Sequence, residues 1–465
     1  MFFTHPDARM SGRRFKIPEN AEAVAGKALD SPIMKEFWHR FTFEGSKLSV
    51  KTTDEFIFSL GEAKKVFPNG KDYAISIEET GIFLSAKDER SLKEGFITLM
   101  DMFSPDEDGG AYADTLTLEE SPLIRNRMIH FCVFPDTELW EIKKFIRLSG
   151  ALKYSHIVLE FWGMLRFDCL SELSWAHAFS KDEIRPLIKE ANDLGMEVIP
   201  MFNHWGHASA SRLMHGKHVV LDQNISLARL FDYDGWCWKI ESGEVRALQA
   251  KIREELTELC GEGEYFHIGC DEAYGFAFTK EEMDKFTGFL NYTAEELKKT
   301  GRKPIMWADM LISRHEDYNK NNRYTAAAQT VSDEEYMLKN VSRDIVMADW
   351  QYNASEAPIE TALTLKNAGF TVLECPYDEG GARTSRAAAE TVKSGNLSGI
   401  MHTTWHTLSS STGYIGRIAD ISWRECSDIS WIMYNVRTAD ILRKAYRAKD
   451  YEKSGWARCE IGTRT

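Results

Sequence analysis

The sequence predicts a parallel (β/α)8 TIM barrel preceded by a small α/β domain. From about residue 125, apolar strand-like runs recur eight times, with amphipathic helical patterns between them. No G-x-G-x-x-G follows the first run, which weighs against an open doubly wound sheet, the competing arrangement. A chain of 465 residues, 43% hydrophobic and 28% charged, has material for a core of that size.

Residues 1–120 form the predicted N-terminal domain. Lys47–Thr52, Tyr73–Ile77 and Gly81–Ser85 read as strands, the first two by alternation. Asp88–Met102 carries apolar residues at helical spacing behind an Asp cap. The acidic, glycine-containing stretch Asp106–Gly110 is a loop near the boundary. The barrel is assigned to 121–465. Its strands are predicted at Arg127–Phe134, His156–Trp162, Glu197–Phe202, Tyr265–Gly269, Pro304–Asp309, Asp344–Trp350, Phe370–Cys375 and Gly399–Trp405. Helical patterns lie between them, among them Thr137–Leu148, Lys181–Leu194, Val245–Cys260 and Lys280–Lys299.

Composition excludes several partners. With 57 basic and 71 acidic residues the net charge is −14, which repels phosphate backbones, so no nucleic-acid partner is expected. A neutral sugar meets no such penalty, and 13 Trp supply flat apolar faces that could stack on one. The eight Cys are scattered without a CxxC and are expected as buried thiols. The opening MFFTHPDARMSGRRFKIPEN lacks the apolar core of a signal peptide, and no run of about 18 apolar residues follows. No membrane partner is expected, and the expected location is cytoplasmic. The absence of GxSxG and P-loop patterns leaves serine-hydrolase and nucleotide chemistry without support.

In a barrel of this kind, chemistry sits where strands end and βα loops begin. The fourth run ends His267-Ile268-Gly269-Cys270-Asp271-Glu272. Two adjacent acids at a strand-to-loop turn repel, so one tends to keep its proton, which suits general acid chemistry at an acetal oxygen. The third run ends Phe202-Asn203-His204-Trp205-Gly206-His207. Two histidines there could ligate a metal, but the chain has no HExxH and no cysteine partner at zinc spacing, so neither metal nor cofactor is expected. Trp162, Trp307, Trp350, Tyr377 and Trp405 recur at strand ends and would together form an apolar box for a sugar ring bearing a small acyl group. Arg125 and Arg127 begin the first run, and one of them could grip vicinal hydroxyls.

At His267–Glu272 the sequence resembles the family 20 glycoside hydrolases, the β-N-acetylhexosaminidases, whose signature is His-x-Gly-(Gly/x)-Asp-Glu at the end of barrel strand four. The resemblance extends over most of the chain, the first 120 or so residues resembling the small domain that precedes the family's barrel. Arg125 to His130 resembles Arg-Gly-x-x-x-Asp, which places Arg125 on the arginine that binds the sugar 3- and 4-hydroxyls. Pro200 to His207 resembles Pro-Glu-x-Asp-x-x-Gly-His, which places His207 on the family's histidine. Trp307, Trp350 and Trp405 fall where the family builds its acetamido pocket and sugar floor, and Tyr377 near the tyrosine that bonds the acetamido oxygen. The chain also departs from the pattern. His130 replaces an Asp, Met201 and Asn203 replace acids, Glu160-Phe161-Trp162 stands for His-x-x-Asp-Asp, and Thr404–Thr407 lacks the Glu that grips the 4- and 6-hydroxyls. Asp378 or Glu379 is a candidate replacement for that acid.

The resemblance implies a retaining, substrate-assisted reaction on terminal GlcNAc or GalNAc. Glu272 would protonate the leaving oxygen, the 2-acetamido oxygen would attack to give an oxazolinium ion, and Asp271 would stabilise it. His207 and His267 would orient the acids or the substrate, although His267 could equally be a packing residue. Two alternatives stay open. One is a glycosidase on the same barrel acting on a sugar without a 2-acetamido group, with Glu160 or Asp378 as nucleophile. The other is a non-catalytic carbohydrate-binding barrel.

Overall fold

The computed structural model describes residues 12–209, 217–314, 323–378, 384–405, 408, 412–424 and 431–447. Its N-terminal part is a six-stranded sheet. The strands are β1 (Asn20–Gly26), β2 (Lys47–Thr53), β3 (Ile57–Gly61), β4 (Tyr73–Glu78), β5 (Gly81–Ala86) and β6 (Leu116–Glu120). They lie in the order β2-β1-β3-β5-β4-β6, with only the β1–β2 pair parallel. Helices α1 (Pro32–Phe41) and α2 (Glu89–Asp101) pack on this sheet. Asp88 caps α2 by accepting from the Ser91 N–H at 2.8 Å. Trp38 of α1 fills the space between helices and sheet, with its ring centroid 5.6 Å from Phe58 and 5.9 Å from Phe96. The sequence patterns missed α1, β1, β3 and β6. In the run Asn20–Gly26 the inward positions are Ala21, Ala23 and Ala25, a residue type depleted in strands, so the pattern reads weakly; β1 forms because these alanines are buried in the N-terminal core.

Eight parallel strands then close into a barrel. They are β7 (Asn126–Val133), β8 (His156–Phe161), β9 (Glu197–Met201), β10 (Tyr265–His267), β11 (Lys303–Trp307), β12 (Val346–Asp349), β13 (Thr371–Glu374) and β14 (Gly399–Thr403). Closure is made by β14 against β7, with Asn126 opposite Gly399 and His130 opposite Thr403. The intervening helices are α3 (Leu139–Ala151), α4 (Lys181–Asp193), α5 (Gly243–Cys260), α6 (Lys280–Lys298), α7 (Val331–Asn340), α8 (Glu360–Asn367) and α9 (Thr384–Gly395); α10 (Thr412–Trp423) and α11 (Trp431–Ala445) follow. Strands covered on both faces need apolar residues at nearly every position, which is why the runs read as continuous rather than alternating. A separate apolar cluster fills the barrel interior, from Met128, Val158 and Met401 up to Trp307, with Trp350 and Trp405 packed against it.

Buried Arg127 joins the two parts. It donates to the carbonyls of Ile124, Arg125 and Lys153 and pairs with Glu94 of α2, so the N-terminal sheet docks at the N-terminal end of β7. Cys132, Cys237, Cys260, Cys270 and Cys375 are buried free thiols and Cys169 is half-buried, while Cys426 and Cys459 lie outside the described residues. Among the described residues no helix is long and apolar enough to cross a membrane.

Candidate active site

The C-terminal ends of β9 to β14 bring the candidate site together. Strand β10 stops at His267 because Gly269 turns the chain at φ +67°, and Cys270 and Glu272 follow in the same left-handed region, at φ 72° and 47°. His207 and Trp405 are also left-handed, at φ 58° and 42°. Non-glycine residues held this way store about 1–3 kcal/mol each, and they concentrate at functional sites. Close approach completes the turn: a Cβ on Gly206 would stand 2.0 Å from the Asp271 carbonyl oxygen, so only glycine lets the β9 loop pass beneath the two acids.

The two acids occupy different surroundings. The Asp271 side chain is 4% exposed and that of Glu272 31%, so one lies inside and the other at the mouth. His207 Nε2 sits between them, 3.3 Å from Asp271 Oδ2 and 3.0 Å from Glu272 Oε2. Burial alone would lower the His207 pKa, but Asp271 and Glu272 outweigh it and raise it to about 9. Burial pushes the Asp271 carboxyl up, and the Lys217 and His207 cations overcome this and hold it ionised. Asn203 Nδ2 donates to Asp271 Oδ1 at 3.0 Å, so the amide that stands for a family acid orients the acid that remains. Glu272 is pinned through its backbone. Its N–H donates to Asp309 Oδ2 at 3.0 Å, and its carbonyl accepts from Trp236 Nε1 at 2.6 Å.

Around the acids stands an aromatic enclosure. Trp307 is buried, 4.5 Å from the His267 ring and 5.5 Å from Trp405. Trp350 donates from Nε1 to Asp309 Oδ1 at 3.2 Å and lies 5.2 Å from Tyr352. Tyr352 in turn accepts from Trp405 Nε1 at 2.6 Å and sits 5.2 Å from Tyr377. His267 is buried and its pKa falls to about 3, chiefly by desolvation, so it is neutral. The Gly269 N–H donates to its Nδ1, which puts the ring proton on Nε2. That Nε2 and the indole Nε1 of Trp307 have no hydrogen-bond partner among the described residues, which leaves two buried donors within the enclosure.

The structure therefore gathers Asp271, Glu272, His207, His267, Trp307, Trp350, Tyr377 and Trp405, and it corrects two other assignments. Arg125 is exposed and precedes β7, at the barrel end opposite the acids, where it lines a cleft of about 250 Å³ with Asp72, Asp88 and Arg90. Strand direction decides this, because a residue before a barrel strand lies at the N-terminal face. Asp378 is buried and committed to the start of α9. It accepts from the Ser385 N–H at 3.0 Å and also engages the Ser385 hydroxyl and Arg417. Glu379, His406 and Thr407 lie outside the described residues. The two histidines of the β9 loop separate: His204 faces outward against Phe266, neutral by burial, and only His207 meets the acids.

Asn203, Asp309, Lys217 and Tyr352 escaped the sequence reading as participants. Asn203 was seen only as a departure, and Glu160 was weighed as a departure and as an alternative nucleophile but not as the partner of Lys217. Asp309 follows Trp307 at a strand end, a position where an acid is itself a signal. Lys217 carries no periodic or motif cue. It lies buried, 2.8 Å from Glu160 Oε1, and Glu160 also meets His130 Nε2 at 3.1 Å and Trp162 Nε1 at 2.9 Å. His130, Cys132 and Glu160 bring metal-ligating atoms within 4.8 Å of one another. The Lys217 ammonium already supplies positive charge to this group, and a second cation there would be repelled.

Residues 155–407 match the description "Glycosyl hydrolase family 20, catalytic domain". Among curated relatives, the chain is 22% identical over 251 residues to lacto-N-biosidase of Bifidobacterium bifidum, covering 49% of this chain and 20% of that protein. It is 25% identical over 198 residues to hexosaminidase D of Bos taurus, covering 40% and 55%. The matches thus span a fifth and just over half of these relatives. The fold is similar to that of an exo β-N-acetylglucosaminidase from Vibrio harveyi crystallised with N-acetylglucosamine, with TM-score 0.67, 16% identity, and 95% of this chain and 77% of that chain covered.

Proposed function

This chain belongs to glycosyl hydrolase family 20, and from that membership we propose that it is a retaining exo-β-N-acetylhexosaminidase. It removes terminal GlcNAc or GalNAc with the substrate's own acetamido group as nucleophile. The observation that carries this reading is the division between the two neighbouring acids, one enclosed with cations and the other at the mouth.

Glu272 delivers a proton to the glycosidic oxygen as the bond to the anomeric carbon breaks. The acetamido oxygen attacks that carbon from the opposite face and closes a five-membered oxazolinium ring. Positive charge spreads onto the acetamido nitrogen, and Asp271, held ionised beneath it, accepts the N–H and offsets that charge. Water then enters, Glu272 takes its proton, and the ring opens with the original configuration restored. Trp307, Trp350 and Trp405 press the acetamide against the anomeric carbon, and such intramolecular placement removes roughly 7–11 kcal/mol of barrier. The free donors on Trp307 and His267 are available to sugar or acetamide oxygens. Glu160 is already held by Lys217, His130 and Trp162, which speaks against the reading in which it is the nucleophile.

The test is a panel of chromogenic N-acetylhexosaminides and plain hexosides, run on the wild type and Glu272→Gln. Turnover restricted to the N-acetyl substrates and lost in the variant supports the proposal. Equal turnover of plain hexosides overturns it.

A further inference from the structure

The cleft of about 250 Å³ at the N-terminal face lies where the two parts of the molecule meet. Arg90 and Glu94 reach it from α2, Asp72 and Asp88 from the residues just before β4 and α2, and Arg125 and Arg127 from the entry to β7. Most of this charge is already matched within the protein. Arg127 is paired with Glu94 and bound to three carbonyls. Asp72 Oδ1 accepts from Lys87 Nζ at 2.5 Å and from Ser121 Oγ at 3.1 Å. Asp88 accepts from the Ser91 N–H at 2.8 Å. Burial raises the Asp88 pKa, but its bonds from Ser91, helped by the Lys87 and Arg125 charges, bring it below the ordinary value and keep it ionised. Arg90 and Arg125 differ. Neither guanidinium has a hydrogen bond or an ion pair among the described residues. Arg90 is half-buried and Arg125 exposed. A lone surface arginine is ordinarily satisfied by water. Here two of them line one concavity, one from each part of the molecule.

We propose that this cleft binds a small hydroxylated phosphomonoester of the hexose phosphate class, with the phosphate between Arg90 and Arg125 and the hydroxyls toward Asp72 and Asp88. The proposal is independent of the glycosidase reading. A phosphomonoester carries about −1.5 to −2 charges at pH 7 and three strong acceptor oxygens. Two guanidinium forks match those oxygens in geometry and in sign. The carboxylates on the other wall accept and cannot donate, so they take hydroxyl groups and repel a second phosphate. Both side-chain bonds to Asp72 fall on Oδ1, which leaves Oδ2 for such a hydroxyl. Size points the same way. The cleft is smaller than the roughly 300–1,000 Å³ of pockets that hold drug-sized ligands, so it suits a single sugar ring rather than a nucleotide. A ligand held in this way bridges α2 to the entry of β7.

Calorimetric titration of the full chain with glucose 6-phosphate, inorganic phosphate and glucose, at one fixed ionic strength, tests the proposal. Glucose 6-phosphate is expected to saturate a single site, more tightly than inorganic phosphate, and glucose to give no saturation. Arg90→Gln and Arg125→Gln each weaken glucose 6-phosphate about tenfold or more, the range for losing charge-assisted hydrogen bonds, and the double variant removes saturation. Because neither guanidinium is paired, the unfolding temperature of the double variant without ligand stays near that of the wild type, so lost binding is not lost folding. The acids lie at the opposite end of the barrel, so excess N-acetylglucosamine leaves the affinity for glucose 6-phosphate unchanged, as does Glu272→Gln. Competition by N-acetylglucosamine would put the ligand at the acids and overturn the cleft. The proposal is equally overturned if glucose 6-phosphate does not saturate, if its affinity survives in the double variant, or if it binds no more tightly than inorganic phosphate.

Discussion

Lys217 Nζ lies 2.8 Å from Glu160 Oε1, and both side chains are almost wholly buried, 1% and 2% exposed. Two charges this deep are tolerable only together. Removing one leaves the other unpaired, a loss of about 3–5 kcal/mol. Lys217→Met is expected to lose stability on that scale, while adding Glu160→Gln restores much of it. Denaturant unfolding of the two single variants and the double variant checks this, and additive losses would mean that the pair does not act as a unit.

Lys217 also reaches Asn203 Oδ1 at 3.3 Å, and Asn203 holds Asp271. Burial drives the Asp271 carboxyl upward, and Lys217 is the first of the charges that bring it down. Removing the ammonium raises the Asp271 pKa. If Asp271 must be ionised for attack, the acid limb of kcat/KM moves to higher pH in Lys217→Met, and stays near the wild-type position in Lys217→Arg. A purely structural role would lower activity without moving that limb.

Replacing the proton donor and replacing its companion have different signatures. Glu272→Gln is expected to lose about 10²–10⁴-fold in kcat on substrates with poor leaving groups. Asp271→Asn removes the anion from beneath the oxazolinium ring, so it slows all leaving groups alike and weakens binding of a thiazoline mimic of that ring. Rates compared across leaving groups of graded basicity check both, and Asp271→Asn with normal affinity for the thiazoline would exclude its assigned role.

The barrel was legible because eight strands buried on both faces write their apolar runs directly into the sequence. The Asp271-Glu272 pair was legible because a strand, a glycine and two acids are consecutive. Arg125 was misplaced because a motif match carries no strand direction, whereas β7 begins only at Asn126. Asp378 was misplaced because an acid before a helix has two uses, and the α9 start claimed it. Lys217 and Tyr352 were missed for a different reason. Their partners are remote, at Glu160 for one and at Thr403 and Trp405 for the other, so no local spacing announces them.

Asp309 joins the backbone of the acid to a wall of the enclosure, accepting from Glu272 N–H at 3.0 Å and Trp350 Nε1 at 3.2 Å. Asparagine can accept only on one of the two oxygens' positions, so Asp309→Asn keeps volume but breaks one link. The expected result is about a tenfold fall in kcat with a smaller change in Tm. Trp350→Phe removes the other end of the bridge. If Asp309 acts by aligning both groups, the double variant is less impaired than the product of the singles, with a coupling of about 0.5–3 kcal/mol. Strict multiplicativity would separate the two residues.

His207 links the site to pH-dependent stability. Its pKa is about 9 in the folded chain, where burial opposes protonation and the Asp271 and Glu272 carboxylates override it, against about 6.5 when unfolded. A raised folded pKa means that the folded state holds a proton the unfolded state has released. The resulting stability is fully present below pH 6.5 and is lost as pH rises through 9, where both states become neutral. The whole interval corresponds to roughly 3 kcal/mol at most. Urea unfolding of the wild type and His207→Gln from pH 6 to 10 isolates the effect, because glutamine does not titrate. The difference between the two proteins should shrink steadily between pH 6.5 and 9. A difference that is flat across that interval would mean that His207 is neutral between the two acids.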